Sequence, residues 1–186
     1  MSNDIPKFNK IVRAALTDKL APEKAIELIR SLNVHQHKIR RAVSKIALHG
    51  LNKDGFFVRA QDNRYYCNQP SKELIPTDSF SFGALLNNLF GLNQPEPEFK
   101  YLLADVDTKA HLSGIKATIH RFAYYDKEKN ILYLDAFNGS VYRLDGTNVE
   151  LVNNGTDNFL FTHLPDWEPY EYIPNTVSGK NLHGNL

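Results

Sequence analysis

Asp105 and Asp107 stand two residues apart in the run ADVD, and Asp135 closes the run ILYLD. Two carboxylates spaced this way on a strand share one face and can hold magnesium between them, the chemistry of phosphoryl transfer and of nuclease or primase centres. The neighbours point to a helix instead. Phe99, Leu102, Leu103, Val106 and Ala110 recur at helical spacing, and residues two apart on a helix diverge by about 200°. Val106 then faces the core, and the acids fall on opposite flanks. Asp135 precedes the corner Asn138-Gly139, where an aspartate commonly caps backbone amides. Acid–base work there would need His111 or His120 brought from elsewhere.

The remaining reactive groups also lack partners in the sequence. His35 and His37 have no third ligand at a zinc spacing nearby. Cys67 sits in an aromatic-rich run with no histidine or helix start to activate its thiol. Gly179-Lys180 lacks both the glycine five positions before Gly179 and the following Ser or Thr of a phosphate loop, since Asn181 stands there. No catalytic residue, metal or cofactor is therefore assigned.

Charge carries the stronger signal. Residues 28–53 hold Arg30, Lys38, Arg40, Arg41, Lys45 and Lys53, three histidines and no acid. The chain's net charge of +1 conceals a division: residues 1–93 carry fourteen Lys and Arg against eight acids, and the remainder eight against thirteen. A basic front suits a polyanion, and an acidic back suits a protein partner. Docking of the two halves on each other is the alternative.

The elements that must position these residues follow from periodicity. Phe8, Ile11, Val12, Ala15 and Leu16 mark a first helix, residues 22–32 a second, and 37–49 a third, with Gly50 at the C-cap. GFFVRA and RYYCNQ, separated by Gln61-Asp62-Asn63, predict a β-hairpin. Three helices and a ribbon in this order describe a winged helix, whose third helix enters a DNA groove while the ribbon touches the backbone. Lys38, Arg41, Lys45 and His49 share a stripe of the third helix, and Arg40, Arg59 and Arg64 extend the footprint, acting mainly on phosphates.

Beyond a connection at 76–79, helices are expected at 82–92 and 98–112, then strands at 117–125, 131–136, 140–144, 148–152 and 159–162. The fold class is α+β: a winged-helix-like domain at 1–75, a helical connector at 76–114, an antiparallel β domain at 115–173 and an extended tail at 174–186. A single cysteine, no apolar leader and no membrane-spanning run make the cytoplasm the expected compartment, with no membrane partner.

Residues 99–172 carry an ordered set of features: a helix leading to a strand with Arg121, a strand ending Leu134-Asp135, the strand Val141-Tyr142-Arg143-Leu144, the turn Asp145-Gly146, then Phe161 and Pro165. This order resembles the strand-rich segment ahead of the ATPase domain in phage and mobile-element helicase or primase-helicase-like proteins. Tyr142-Arg143-Leu144 and Asn148-Val149 stand where that family has Trp-Arg-Val and Gly-Trp. The resemblance implies an accessory role in DNA replication, with ATP hydrolysis in a motor that would begin after Leu186. The expectation is a non-catalytic module that binds nucleic acid, most simply DNA, and assembles with a protein through its acidic part. A stand-alone winged-helix transcriptional regulator or a protein-interaction subunit is the alternative.

Overall fold

A computed structural model describes residues 4–162 of the chain. The tail expected at 174–186 and the end of the expected β domain lie outside the described residues. Helices α1 (Ile5–Leu16) and α2 (Pro22–Arg30) both carry proline in their first two positions, where its missing N–H leaves no hydrogen bond unmade. α3 (Gln36–Asp54) runs one turn past the expected stop at Gly50 and leads directly into a strand. Gly50 serves packing: a Cβ there would lie 2.9 Å from Cε1 of Phe90.

The expected hairpin forms from β1 (Gly55–Ala60) and β2 (Asn63–Asn68), with Ala60 opposite Asn63, and β3 (Glu73–Pro76) adds a third antiparallel strand. α4 (Phe80–Phe90) begins where the Ser79 hydroxyl accepts the Phe82 N–H at 3.2 Å and ends at Gly91, φ 63°. α5 (Pro97–Ser113) follows. These two helices, read from sequence as a connector, contribute Phe82, Leu86, Leu102 and Val106 to the core that also holds Ile26, Ile29, Val43 and Ile46 of α2 and α3.

The strand expected at 117–125 is broken into two, and a further short strand precedes it; each of the three has a different partner. β4 (Ile115–Lys116) pairs parallel with β1, giving a first sheet of order β3-β2-β1-β4. β5 (Thr118–His120) pairs parallel with the last described strand. β6 (Ala123–Asp126) opens an antiparallel meander with β7 (Ile131–Asp135), β8 (Ser140–Leu144) and β9 (Val149–Asn153). β10 (Phe159–Phe161) returns to lie beside β5. Period-two alternation reads the same whichever neighbour a strand takes, so the sequence pattern could not reveal the changes of partner. The result is a mixed α+β structure, and among the described residues no helix is long and apolar enough to cross a membrane.

The first sheet is covered on both faces. Phe57, Tyr66 and Ile75 point into the helical core, while Val58, Cys67 and Leu74, one residue along each strand, pack with Leu160 of β10 and Ile119 of β5. A third cluster joins Phe161 to Ile131, Tyr133 and Val141 of the meander. The order of layers is therefore helices, first sheet, the β5–β10 ribbon, then meander.

The junction of α3 and β1 turns on Gly55. Its φ of −179° is ordinary extended backbone, but a Cβ would lie 2.2 Å from the Cys67 carbonyl oxygen and 2.6 Å from the Tyr66 ring. Gly55→Ala must push the hairpin off the helical layer, and we expect a loss of about 2–4 kcal/mol in urea-induced unfolding. A variant as stable as the wild type would show that the junction has slack.

Candidate nucleic-acid interface

α3 presents two contrasting sides. Ile39, Ala42, Val43, Ile46 and Ala47 are buried, and the helical period leaves Lys38, Arg41 and Lys45 on the opposite, exposed side with His37. None of Lys38, Arg40, Arg41 and Lys45 has an ion pair among the described residues. Arg40 lies toward the Ser44 side of the helix, half-buried, and its Nε is buried without a hydrogen-bond partner among the described residues.

The acids near α3 are already engaged. Asp18 accepts His49 at 3.2 Å and Lys53 at 3.3 Å, and bonding from Lys53 and then His49 holds its carboxyl below the usual value. His49, expected on the open stripe, thus belongs to an internal cluster. Ser44 donates its hydroxyl to Asp105, and Arg30 pairs with Glu96. The free cationic stripe is Lys38, Arg41 and Lys45, with Arg40 about 100° round the helix from Arg41 on the Ser44 side.

The hairpin arginines are placed differently. Arg59 and Arg64 stand directly opposite each other on β1 and β2, a like-charge pairing that destabilises a sheet. α5 offsets it: Arg64 Nη1 lies 2.7 Å from Asp107 Oδ1, and Arg59 Nη1 donates to the His111 carbonyl at 2.9 Å, in the last turn of the helix. A cation at a helix C-terminus meets the negative end of the helix dipole and an otherwise unpaired carbonyl. Asp105 and Asp107 thus diverge as the helical period requires, one toward α3 and one toward β2. No signal in the sequence pairs Arg64 with Asp107, since the contact depends on how α5 lies on the sheet.

The other candidate groups have structural surroundings. The Asp135 carboxylate accepts the Phe137 N–H at 3.0 Å, with Phe137 at φ 58°, so it supports the turn as its position suggests. Asp145, bonded by the N–H groups of Asn148 and Thr147, is held well below the usual carboxylate range. Cys67 is buried, and burial pushes its thiol up to about 11, the reverse of an activated nucleophile. The His35 and His37 rings lie 5.7 Å apart, and among the described residues no group of three His, Cys, Asp or Glu is placed to hold a metal ion. No family model, no curated protein and no solved structure matches this chain.

His120 lies among aromatic rings at the meander side of β5. Its ring lies 4.3 Å from Tyr124 and 5.7 Å from Phe161, its Nε2 is buried without a hydrogen-bond partner among the described residues, and burial lowers its pKa below the usual 6.5. Below about pH 6.5 the unfolded chain therefore binds a proton that the folded chain resists. The associated stability is present above that pH and is lost as the pH falls toward the folded pKa. We expect the melting temperature to drop on going from about pH 7 to about pH 5, with a smaller drop in His120→Phe. Equal pH dependence in both proteins would rule out His120 as the source.

Proposed function

We propose that this chain is a non-catalytic nucleic-acid-binding and assembly module, with a winged-helix-like arrangement of α1 to α3 and the β1–β2 hairpin. The observation that carries this reading is the outward side of α3, where Lys38, Arg41 and Lys45 are exposed and lack acidic partners among the described residues. A helix that buries one side and offers an unneutralised row of cations on the other suits a phosphate backbone. Arg40 supplements that row. Arg59 and Arg64 play a smaller part in this contact, because α5 already engages them and the sheet is covered on both faces.

The assembly role is supported by the far edge of the meander. Among the described residues β9 pairs only with β8, and it exposes Val149 and Leu151; a strand edge of this kind with apolar side chains suits addition of a partner's strand. The resemblance of residues 99–172 to the segment preceding helicase and primase-helicase ATPase domains supports a place beside such a motor in DNA replication. ATP hydrolysis would then belong to the motor.

The test is fluorescence anisotropy on duplex and single-stranded DNA between about 50 and about 200 mM salt. Log affinity should fall linearly with log salt, and Arg41→Ala with Lys45→Ala should reduce the slope by roughly two. Arg59→Ala should change it less. Absence of binding at the lowest salt would refute the nucleic-acid reading and leave the alternative of a protein-interaction subunit.

A further inference from the structure

The first sheet ends in a row of three cations. Arg64 on β2 faces Arg59 on β1, and Arg59 faces Lys116 on β4. Side chains directly opposed on neighbouring strands point to the same side, so three positive charges lie abreast over roughly 10 Å. Asp107 neutralises Arg64 alone. Arg59 spends one nitrogen on a neutral carbonyl, and Lys116 is exposed without an ion pair among the described residues.

The row borders an open cleft of about 770 Å³, lined by Arg59, Arg64, His111, Lys116, Thr118 and Phe159. Two acids also reach it. Asp157 is occupied from behind, accepting the Tyr133 hydroxyl at 2.7 Å and lying 3.4 Å from Arg143 Nε. Asp62 is exposed at the hairpin turn. A cross-strand row of like charges costs stability unless something relieves it, and among the described residues only Arg64 of the three has an ion pair, with Asp107.

We propose that this cleft is a phosphate site for a ligand of nucleotide size, held by Arg59, Arg64 and Lys116. Arginine offers paired N–H groups to phosphate oxygens, and lysine adds a point charge. The volume exceeds what a lone phosphate fills and lies within the range of small-ligand clefts. None of these residues is on α3, so the site is tested separately from the Lys38, Arg41 and Lys45 row proposed above. The phosphate belongs either to a free nucleotide or to the end of a strand.

The experiment compares the melting temperature and calorimetric binding of the full chain, at constant ionic strength, with a nucleoside 5′-monophosphate and the same nucleoside lacking phosphate. Lys116→Glu serves as the variant and Lys100→Glu, on the first turns of α5, as the control. The monophosphate should raise the melting temperature and the nucleoside should not. Lys116→Glu should weaken the monophosphate roughly tenfold or more, while raising the ligand-free melting temperature at low salt because it sets an acid opposite Arg59. Lys100→Glu should change neither. Two oligonucleotides differing only in a 5′-phosphate distinguish the sources: preference for the phosphorylated one assigns the site to strand ends, and equal binding assigns it to free nucleotides. Equal effects of monophosphate and nucleoside, or a monophosphate effect that survives Lys116→Glu, would overturn the proposal.

Discussion

The structure depends on a short parallel ribbon whose two strands serve two cores at once. Ile119 stands beside Leu160 and His120 beside Phe161. Ile119 and Leu160 pack on the first sheet, and His120 and Phe161 on the meander. Successive residues on a strand face opposite ways, so three residues per strand suffice to join the layers. Leu160 and Phe161 are 2% and 1% exposed, and each such burial contributes about 2–3 kcal/mol. Without the ribbon, Val58, Cys67 and Leu74 would face water, and the meander would lose Phe161 from its apolar face.

That layering decides which charges are available. The ribbon covers one face of the hairpin and the helices cover the other, so the arginines at its end are drawn to α5. The division of the chain into a basic front and an acidic back is partly consumed internally: Arg30 meets Glu96 and Arg64 meets Asp107. Docking of the halves on each other therefore accounts for only part of the charge asymmetry. Arg30 and Arg64 are paired with acids of α5 or its N-cap, Arg59 is bonded to a carbonyl of that helix, and Lys38, Arg41 and Lys45 on the outer side of α3 have no ion pair among the described residues.

Polar groups in the turns show the same economy. Asp126, Asp135 and Asp145 each accept backbone N–H groups two or three residues ahead, and the Asn154 side chain bonds both the N–H and the carbonyl of Phe161. Aspartates that look reactive in the linear sequence are holding corners. Their carboxylates satisfy amides that the short strands leave unpaired.

Local periodicity was enough to determine the helices, the hairpin, the core side of α3 and the turn role of Asp135, because each depends on residues within a few positions of one another. The divergence of Asp105 and Asp107 was legible for the same reason. The extension of α3 past Gly50 was not, since that glycine makes room for Phe90, forty residues away in the chain. Nor was the splitting of the strand near residue 117, where three neighbours compete for one apolar alternation. Only the tertiary structure set Lys116 beside Arg59, gave Arg64 to Asp107 and His49 to Asp18, and left Lys38, Arg41 and Lys45 without ion pairs among the described residues. Ion pairing depends on distances of a few ångströms between distant segments, and no spacing rule along the chain encodes those distances.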